Sequence, residues 1–327
     1  MRPILFTLHV GGRELGLHTY GLLVALGFTL GILLMWRTGK REGFDGGRLL
    51  DLAFWGLVAG LAGSRLTYVA VNARAFAEAC FGSGTAEDGR IVGCAAALKF
   101  WEGGMVFYGG AIASTAVVAL FCRREHWSFW RLGDVAAPTL ALGHAIGRLG
   151  CFFAGCCFGK VCTAPWAVSF PPGSVAHDEL AATGVISPYA SGTPPLHPTQ
   201  LYEAVGELLI FGLLLYLRRR WRLGGERPSA TRDAAPRPGA LILAYAGAYV
   251  LLRFVLEIFR GDAARGYVAE WTSPHLARWL GLPPGEALFL SVSQVLSVLM
   301  LGAVGAAYLW RRRRRFPSAY PTGTRAS

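Results

Sequence analysis

The sequence predicts an all-α, polytopic membrane protein with about seven transmembrane helices. Three observations favour this class. Of the 327 residues, 53% are hydrophobic and only 16% are charged. The mean hydropathy of +0.41 is too high for an ordinary soluble chain of this length. Finally, the apolar residues form long runs, each able to cross about 30 Å of hydrocarbon at about 1.5 Å per residue.

The apolar runs place the spans within one integral membrane domain that covers residues 1–327. In chain order the spans lie near 20–36, 49–72, 105–122, 133–153, 199–217, 239–259 and 287–310. Residues 4–18 are instead typical of two short strands around a Gly11-Gly12 turn, which predicts a hairpin on the outer surface.

The distribution of Lys and Arg predicts the orientation of the spans. Basic residues concentrate after the first, third, fifth and last spans. Such segments stay in the cytoplasm, so the N-terminus is expected outside and the C-terminus inside. This orientation makes 155–198 an outer loop and 224–238 a flexible cytoplasmic linker. The net charge of +12 comes from these clusters and forms no soluble basic face, so we expect no nucleic-acid partner.

Polar side chains inside the spans share one depth. A charged residue at mid-span costs about 2.5 to 3.5 kcal/mol on insertion scales and usually marks a function. Here these residues come late in outward-running spans and early in inward-running ones, so we expect them to meet in the outer half of the membrane. The set comprises Arg65, Arg148, Arg253, Glu257 and Arg260, and Tyr20, Tyr108, Gln200, Tyr202, Glu203, Glu207, Ser293 and Gln294.

The arginines of this set suit an anionic ligand. The planar guanidinium donates two parallel hydrogen bonds to a phosphate and stays charged after desolvation. A site with Arg65, Arg148 and Arg253 is therefore expected to bind an anionic lipid headgroup. Glu257 follows Arg253 by four residues on the same helical face, where it balances part of the charge.

The densest group of candidate residues lies in 143–159. His144, Arg148 and Cys151 fall on one side of the predicted helix. The reference pKa of histidine, about 6.5, suits proton transfer at neutral pH. His144 is therefore a candidate base one helical turn from Arg148.

Four glycines of the same stretch have predicted structural roles. Gly143 and Gly147 are spaced for close approach of another helix. Further on, Gly155 and Gly159 are expected to break the helix and to offer backbone N–H groups to an anion.

With these residues the chain resembles the prolipoprotein diacylglyceryl transferase family. The resemblance covers nearly the whole chain, and five motifs occur in the expected order. They are Tyr20-Gly21-Leu22, Trp101-x-Gly103-Gly104-Met105-x-Phe107-x-Gly109-Gly110, Gly147-Arg148-x-Gly150-x-Phe152-x-x-Gly155-x-x-x-Gly159, His197-Pro198-Thr199-Gln200-Leu201-Tyr202-Glu203 and Arg253-Phe254-x-x-Glu257-x-Phe259-Arg260.

The resemblance implies transfer of a diacylglyceryl group from phosphatidylglycerol to the lipobox cysteine of a prolipoprotein, the first step of bacterial lipoprotein maturation. It implies a multi-pass protein of the bacterial inner membrane whose site faces the outer leaflet. The partners would be phosphatidylglycerol, the prolipoprotein signal peptide and the bilayer, with no cofactor and no metal. The catalytic candidates are Tyr108, His144, Tyr20 and Glu257, and the substrate-binding candidates are Arg148, Arg253, Arg65, Gly159, Tyr202 and Glu203.

Three positions depart from the family pattern. Tyr108 stands where the family has a histidine, Cys151 replaces an asparagine, and Cys156 replaces an acidic residue. Tyr108 is a poor base, because the reference pKa of tyrosine is about 10, unless arginines stabilise its phenolate. The departures indicate a variant that performs the same reaction or a related lipid-modifying transferase with a changed substrate.

Two other interpretations stay open. A buried arginine cluster also fits an anion transporter, although polar lining in one leaflet only is unlike a conduit. The four cysteines Cys151, Cys156, Cys157 and Cys162 suggest a metal or thiol redox site, but their spacing differs from common zinc motifs. Disulfides or buried thiols are the simpler interpretation of these cysteines.

Overall fold

A computed structural model of the chain describes residues 4–10, 13–81, 97–98, 104–221, 238–261, 266–283, 285 and 287–313. The chain forms two compact units. The first comprises Met1–Met35 with Gly133–Ser327, and the second comprises Trp36–Leu132. That both belong to one membrane domain stays a prediction.

Helices dominate the described residues, and a long helix matches each expected span. In chain order the elements are β1 (Ile4–Val10), β2 (Arg13–His18), α1 (Thr19–Arg41), α2 (Gly46–Val71), α3 (Ala73–Phe81), α4 (Phe107–Arg124), α5 (Phe129–Ala154), α6 (Val175–Ala182), α7 (Thr199–Arg220), α8 (Ala240–Leu256), a 3-10 turn (Glu257–Phe259), β3 (Tyr267–Thr272), α9 (Pro274–Trp279), β4 (Ala287–Ser291) and α10 (Val292–Arg313). Strands β1 and β2 pair antiparallel, which confirms the predicted hairpin, whereas its place on the outer surface stays a prediction.

Within the described residues, five helices are long and apolar enough to cross a membrane. They are α1, α2, α7, α8 with its 3-10 turn, and α10. Helix α5 forms where the fourth span is expected, but it carries Asp134, His144 and Arg148. These helices confirm an all-α polytopic membrane protein, whereas the count of about seven spans and the orientation stay predictions.

Large apolar side chains cover the outward surfaces of several long helices. Phe28 of α1, Phe54 of α2 and Leu299 of α10 are all exposed. In water such exposed apolar side chains would promote aggregation. Hydrocarbon solvates it, and the helices satisfy their own backbone hydrogen bonds there.

The core of the first unit lies where α5, α7 and α8 meet. Its buried side chains are Ala137, Ala141, Ile210, Leu214 and Leu241. Helix α1 also approaches α5 closely, because a Cβ at Gly27 would lie 3.2 Å from the carbonyl oxygen of Gly143. The close approach predicted at Gly143 is thus confirmed. At Gly147 it is wrong, since a Cβ there would meet no atom within 4 Å among the described residues.

Helix α8 is capped by a residue of another helix. The buried carboxylate of Asp134, on α5, accepts hydrogen bonds from the backbone N–H groups of Gly239, Leu241 and Ile242 at 2.6, 2.9 and 3.0 Å. These are donors of the first turn of α8, which lack partners within their own helix. The carboxylate also favours the positive end of the helix dipole, so Asp134 fixes the start of α8 against α5.

The segments outside the long helices are folded as well. In the predicted outer loop 155–198, α6 packs in a small core of Phe158, Phe170, Ala176 and Leu196. Beyond α8, β3 and β4 pair antiparallel. The span expected near 287–310 therefore starts too early, since residues Ala287–Ser291 form β4 and the helix begins at Val292. The predicted linker 224–238 lies, apart from Pro238, outside the described residues.

Candidate active site

A buried cluster of charged groups forms where α5 meets the first turns of α7. His144 and Arg148 lie one turn apart on α5, and Glu203 and Glu207 lie one turn apart on α7. Arg148 Nη2 is 3.0 Å from Glu203 Oε1, and His144 Nδ1 is 2.8 Å from Glu207 Oε1. Both carboxylates are buried, with side chains 1% and 0% exposed. Two pairs with helical spacing thus face each other, and Arg148 compensates the charge of Glu203.

The hydrogen bonds around His144 define how its ring is protonated. Arg148 Nε donates to His144 Nε2 at 3.2 Å. Arginine only donates, so Nε2 carries the lone pair and the proton lies on Nδ1, facing Glu207. Glu203 Oε1 is 3.4 Å from Nε2 and would stabilise that nitrogen once it is protonated. His144 thus lies between a carboxylate at Nδ1 and the Arg148 donor at Nε2, and its ring can accept a proton only where the bond from Arg148 opens.

A second charged pair lies at the end of α8 and the start of the 3-10 turn, beside an aromatic side chain that also contacts the first cluster. The ring of Tyr249 is 5.2 Å from that of His144. Tyr249 lies within electrostatic range of both Arg148 and Arg253. Arg253 Nη2 is 2.8 Å from Glu257 Oε2. Arg253 Nη1 is buried and has no hydrogen-bond partner in the described part of the chain, so this donor is available to an anionic ligand.

Glu257 is held in place from the opposite side by β4 and α10. Ser291 Oγ donates to Glu257 Oε1 at 3.3 Å. The backbone N–H of Ser291 donates in turn to Gln294 Oε1 at 3.1 Å. The carboxylate of Glu257 is thereby fixed next to Arg253, as the spacing of the two residues predicts.

The end of segment 143–159 packs against two other parts of the first unit. A Cβ at Gly159 would lie 2.6 Å from the carbonyl oxygens of both His197 and Phe259. The N–H groups of Gly159 and Lys160 donate to those two carbonyls at 3.0 and 2.8 Å. The expectation of N–H groups open to an anion is wrong here, because the backbone of the protein already satisfies them. Contact between Gly159 and a substrate stays a prediction.

Tyr202 joins the outer loop to the start of α7. Its hydroxyl accepts a hydrogen bond from Trp166 Nε1 at 2.7 Å and lies 3.0 Å from His197 Nδ1. Burial lowers the pKa of His197, which favours the neutral imidazole, and its tautomer sets which of Nδ1 and the Tyr202 hydroxyl donates. Tyr202 therefore anchors this corner of the site, and its contact with a substrate stays a prediction.

Tyr20 of α1 completes the group in the first unit. It packs beside the C-terminal end of α5, where a Cβ at Gly150 would lie 3.2 Å from Tyr20 Cδ2. The phenol lies within electrostatic range of Cys151 and Arg148 and is partly exposed. The first unit thus holds eight of the ten candidate residues.

The other two candidates, Arg65 and Tyr108, belong to the second unit. Arg65 donates from Nε to the carbonyl of Ala97 at 2.9 Å and from Nη1 to that of Gly104 at 3.0 Å. Tyr108 is 69% exposed on the first turn of α4 and contacts Phe107 edge to face. A role in binding or catalysis stays a prediction for both.

Two residues here are not among the catalytic and substrate-binding candidates predicted from the sequence, although Glu207 belongs to the set of polar residues expected at one depth. Glu207 orients His144, and Tyr249 packs on its ring. Helical spacing could have indicated both residues, because residues four apart lie on the same face of a helix. Glu207 follows Glu203 by four residues, and Tyr249 precedes Arg253 by four.

Comparison with known proteins agrees with these features. The family described as prolipoprotein diacylglyceryl transferase matches residues 3–311. A Clostridium tetani protein named phosphatidylglycerol–prolipoprotein diacylglyceryl transferase is 27% identical over 92% of this chain and 94% of its own length. Proteins of the same name from Thermosynechococcus vestitus and Prochlorococcus marinus (strain NATL2A) are 33% and 30% identical, over 76% and 95% of this chain and 81% and 94% of their own lengths. The chain belongs to the prolipoprotein diacylglyceryl transferase family.

Proposed function

We propose that this protein transfers the diacylglyceryl group of phosphatidylglycerol to the lipobox cysteine of prolipoproteins, at the outer leaflet of the bacterial inner membrane. The family match over residues 3–311 carries the proposal. The buried cluster of His144, Arg148, Glu203 and Glu207 supports it, because it supplies the charges and the proton acceptor that the reaction needs.

The reaction exchanges one bond for another at a glyceryl carbon. The sulfur of the substrate cysteine loses its proton and attacks the carbon that carries the phosphate ester. A C–S bond forms, the C–O bond breaks, and the electron pair leaves on glycerol 1-phosphate. The site must therefore accept a thiol proton and stabilise negative charge on the departing phosphate.

His144 is the proton acceptor in this scheme, and its Nε2 takes the thiol proton when the hydrogen bond from Arg148 Nε opens. Glu207 Oε1 lies 2.8 Å from the opposite ring nitrogen, where it favours a ring orientation that presents Nε2. Glu203 lies close enough to stabilise the resulting imidazolium. The tyrosine at position 108 is then not required as a base, which fits the departure from the family pattern.

Arg148 and Arg253 stabilise the phosphate. Arg148 uses Nε and Nη2 for contacts with His144 and Glu203, which orients the guanidinium and leaves the Nη1 donors in the described structure for a ligand. Arg253 offers the buried Nη1 described above. Since both arginines are already positioned by carboxylates, little ordering is needed as charge develops in the transition state.

The test is transfer by the purified full chain in phosphatidylglycerol nanodiscs. A lipobox peptide should gain the mass of a diacylglyceryl group, and glycerol 1-phosphate should appear in equal amount. A peptide with serine in place of the lipobox cysteine should gain nothing, and nanodiscs of phosphatidylethanolamine alone should give no product. Lipid turnover without modification of the cysteine peptide would contradict the proposal and indicate a different acceptor.

A further inference from the structure

Three cysteines of segment 143–159 lie close together in the fold. The Sγ atoms of Cys151, Cys156 and Cys157 all lie within 4.8 Å of one another, and none of the three is in a disulfide. Each side chain is only partly buried. Cys162 is also free, but it is buried and is not a member of the group.

Backbone conformation brings the thiols together although their sequence spacing does not suggest it. Gly155 has a φ of +73°, and the N–H of Cys156 bonds back to the carbonyl of Cys151 at 3.1 Å. Cys157 has a φ of +59°, a conformation that residues other than glycine seldom adopt. Such strained positions persist only when the surrounding structure holds them, and they cluster at functional sites.

Helix α7 holds the strained segment in place. Gln200 Nε2 donates to the carbonyl of Cys156, and Thr199 Oγ1 donates to that of Cys157, both at 2.7 Å. Gln200 and Thr199 are each 1% exposed, so these bonds are shielded from solvent. The sulfur positions are therefore preorganised by a supporting shell, as in built ligand sites.

We propose that Cys151, Cys156 and Cys157 form a three-thiolate site for a soft d10 metal ion, either Zn²⁺ or Cu⁺. Thiolates select these ions over hard cations. Zn–S bonds of about 2.3 Å set tetrahedral sulfurs about 3.8 Å apart, which the group reaches by contracting about 1 Å or less. Binding releases the thiol protons to solvent and involves no oxidation. A disulfide would use two of the three thiols and leave the third unpaired.

Metal content of the purified full chain in detergent tests the site. After incubation with Zn²⁺, or with Cu⁺ under anaerobic reduction, and removal of the excess, we expect one ion per chain. Cys151→Ser, Cys156→Ser and Cys157→Ser should each lower this to near zero, whereas Cys162→Ser should keep it. Equal metal content in all variants, or none in the parent protein with its thiols reduced, would overturn the proposal.

A measurement on the unaltered protein covers the case in which the serine variants fail to fold. Maleimide labelling with peptide mapping should show that Zn²⁺ or Cu⁺ protects Cys151, Cys156 and Cys157 together. The control is Cys162, which should be labelled in a briefly unfolded sample whether or not the metal is present. Labelling of all three at the metal-free rate would reject the site. Recovery of two of them as a disulfide after purification in air, with no metal bound by the reduced protein, would also reject it.

Discussion

At the scale of single residues, Arg148 acts through the shape of its guanidinium as well as through charge. It contacts His144 with Nε and Glu203 with Nη2, which one ammonium group cannot do from the same position. We predict that Arg148→Lys lowers the transfer rate by at least about 100-fold, the scale seen when one preorganised donor is lost. The measurement is diacylglyceryl transfer to a lipobox peptide.

The matched control for this change is Arg219→Lys, at an exposed position near the end of α7. It should transfer lipid at the parental rate. Near-normal turnover by Arg148→Lys would remove the guanidinium from the headgroup site.

The role of His144 gives a second prediction at this scale. His144→Gln should slow transfer by about 10²- to 10⁴-fold, the usual contribution of a positioned base, while lipid binding is retained. Glu207→Gln should slow it less, because the base remains but its orientation weakens. Tyr108→Phe is expected to be milder than His144→Gln. The measurement is single-turnover transfer with bound lipid determined separately.

A selenocysteine peptide separates proton removal from other roles of His144. Its selenol is already ionised at neutral pH and needs no base. The selenocysteine peptide should therefore react with His144→Gln at a rate close to that of the parent protein. If this substrate is slowed as much as the cysteine peptide, His144 serves the site in some way other than as the base.

At the scale of the elements, the start of α8 depends on one carboxylate of α5. Asp134→Ala removes three hydrogen bonds to buried N–H groups. We expect a loss of about 2 kcal/mol or more, since capping and buried charged hydrogen bonds each contribute on this scale. The readout is the midpoint of thermal unfolding in detergent, with the exposed Asp51→Ala as control. Equal midpoints for the two variants would show that α8 needs no such cap.

The packing of the segment after α5 depends on Gly159, which has no side chain. Gly159→Ala would place Cβ within 2.6 Å of two carbonyl oxygens, so the backbone must shift and the bonds to His197 and Phe259 must weaken. We predict a large loss of folded protein. Gly212→Ala, in a helix where a Cβ meets no described atom within 4 Å, should fold at least as well as the parent. Folded yield by size-exclusion chromatography decides between these outcomes.

The elements also show what a sequence can and cannot predict. Long apolar runs predicted the helices, because only helices satisfy their own backbone in lipid. The short apolar run Ala287–Ser291 suits a strand or a helix equally, and its pairing with β3 decided the outcome. Arg148 and Glu203 were predicted as separate candidates, but their contact depends on packing of α5 against α7. The sequence suggested a metal or thiol redox site at Cys151, Cys156, Cys157 and Cys162 but not which three thiols converge, because a positive φ at Cys157 leaves no trace in local spacing.

At the scale of the whole molecule, buried charge and membrane orientation are linked. The first unit buries Glu203, Glu207 and Glu257, which is tolerable because arginines and a histidine lie within ion-pair distance. Such a cluster serves extracytoplasmic substrates only if it opens to the outer leaflet. The predicted orientation is thus a condition of the proposed function.

The basic clusters after the first, third, fifth and last spans predict that the N-terminus lies outside and the C-terminus inside. We test this with single cysteines introduced into a chain whose other reactive thiols have been blocked. In intact cells a membrane-impermeant maleimide should label Tyr189→Cys, since Tyr189 is 97% exposed in the predicted outer loop. It should label Ser229→Cys, in the predicted cytoplasmic linker, only after the membrane is permeabilised. The reverse pattern would invert the topology and place the candidate site on the cytoplasmic side, where the lipobox of an exported precursor is not presented.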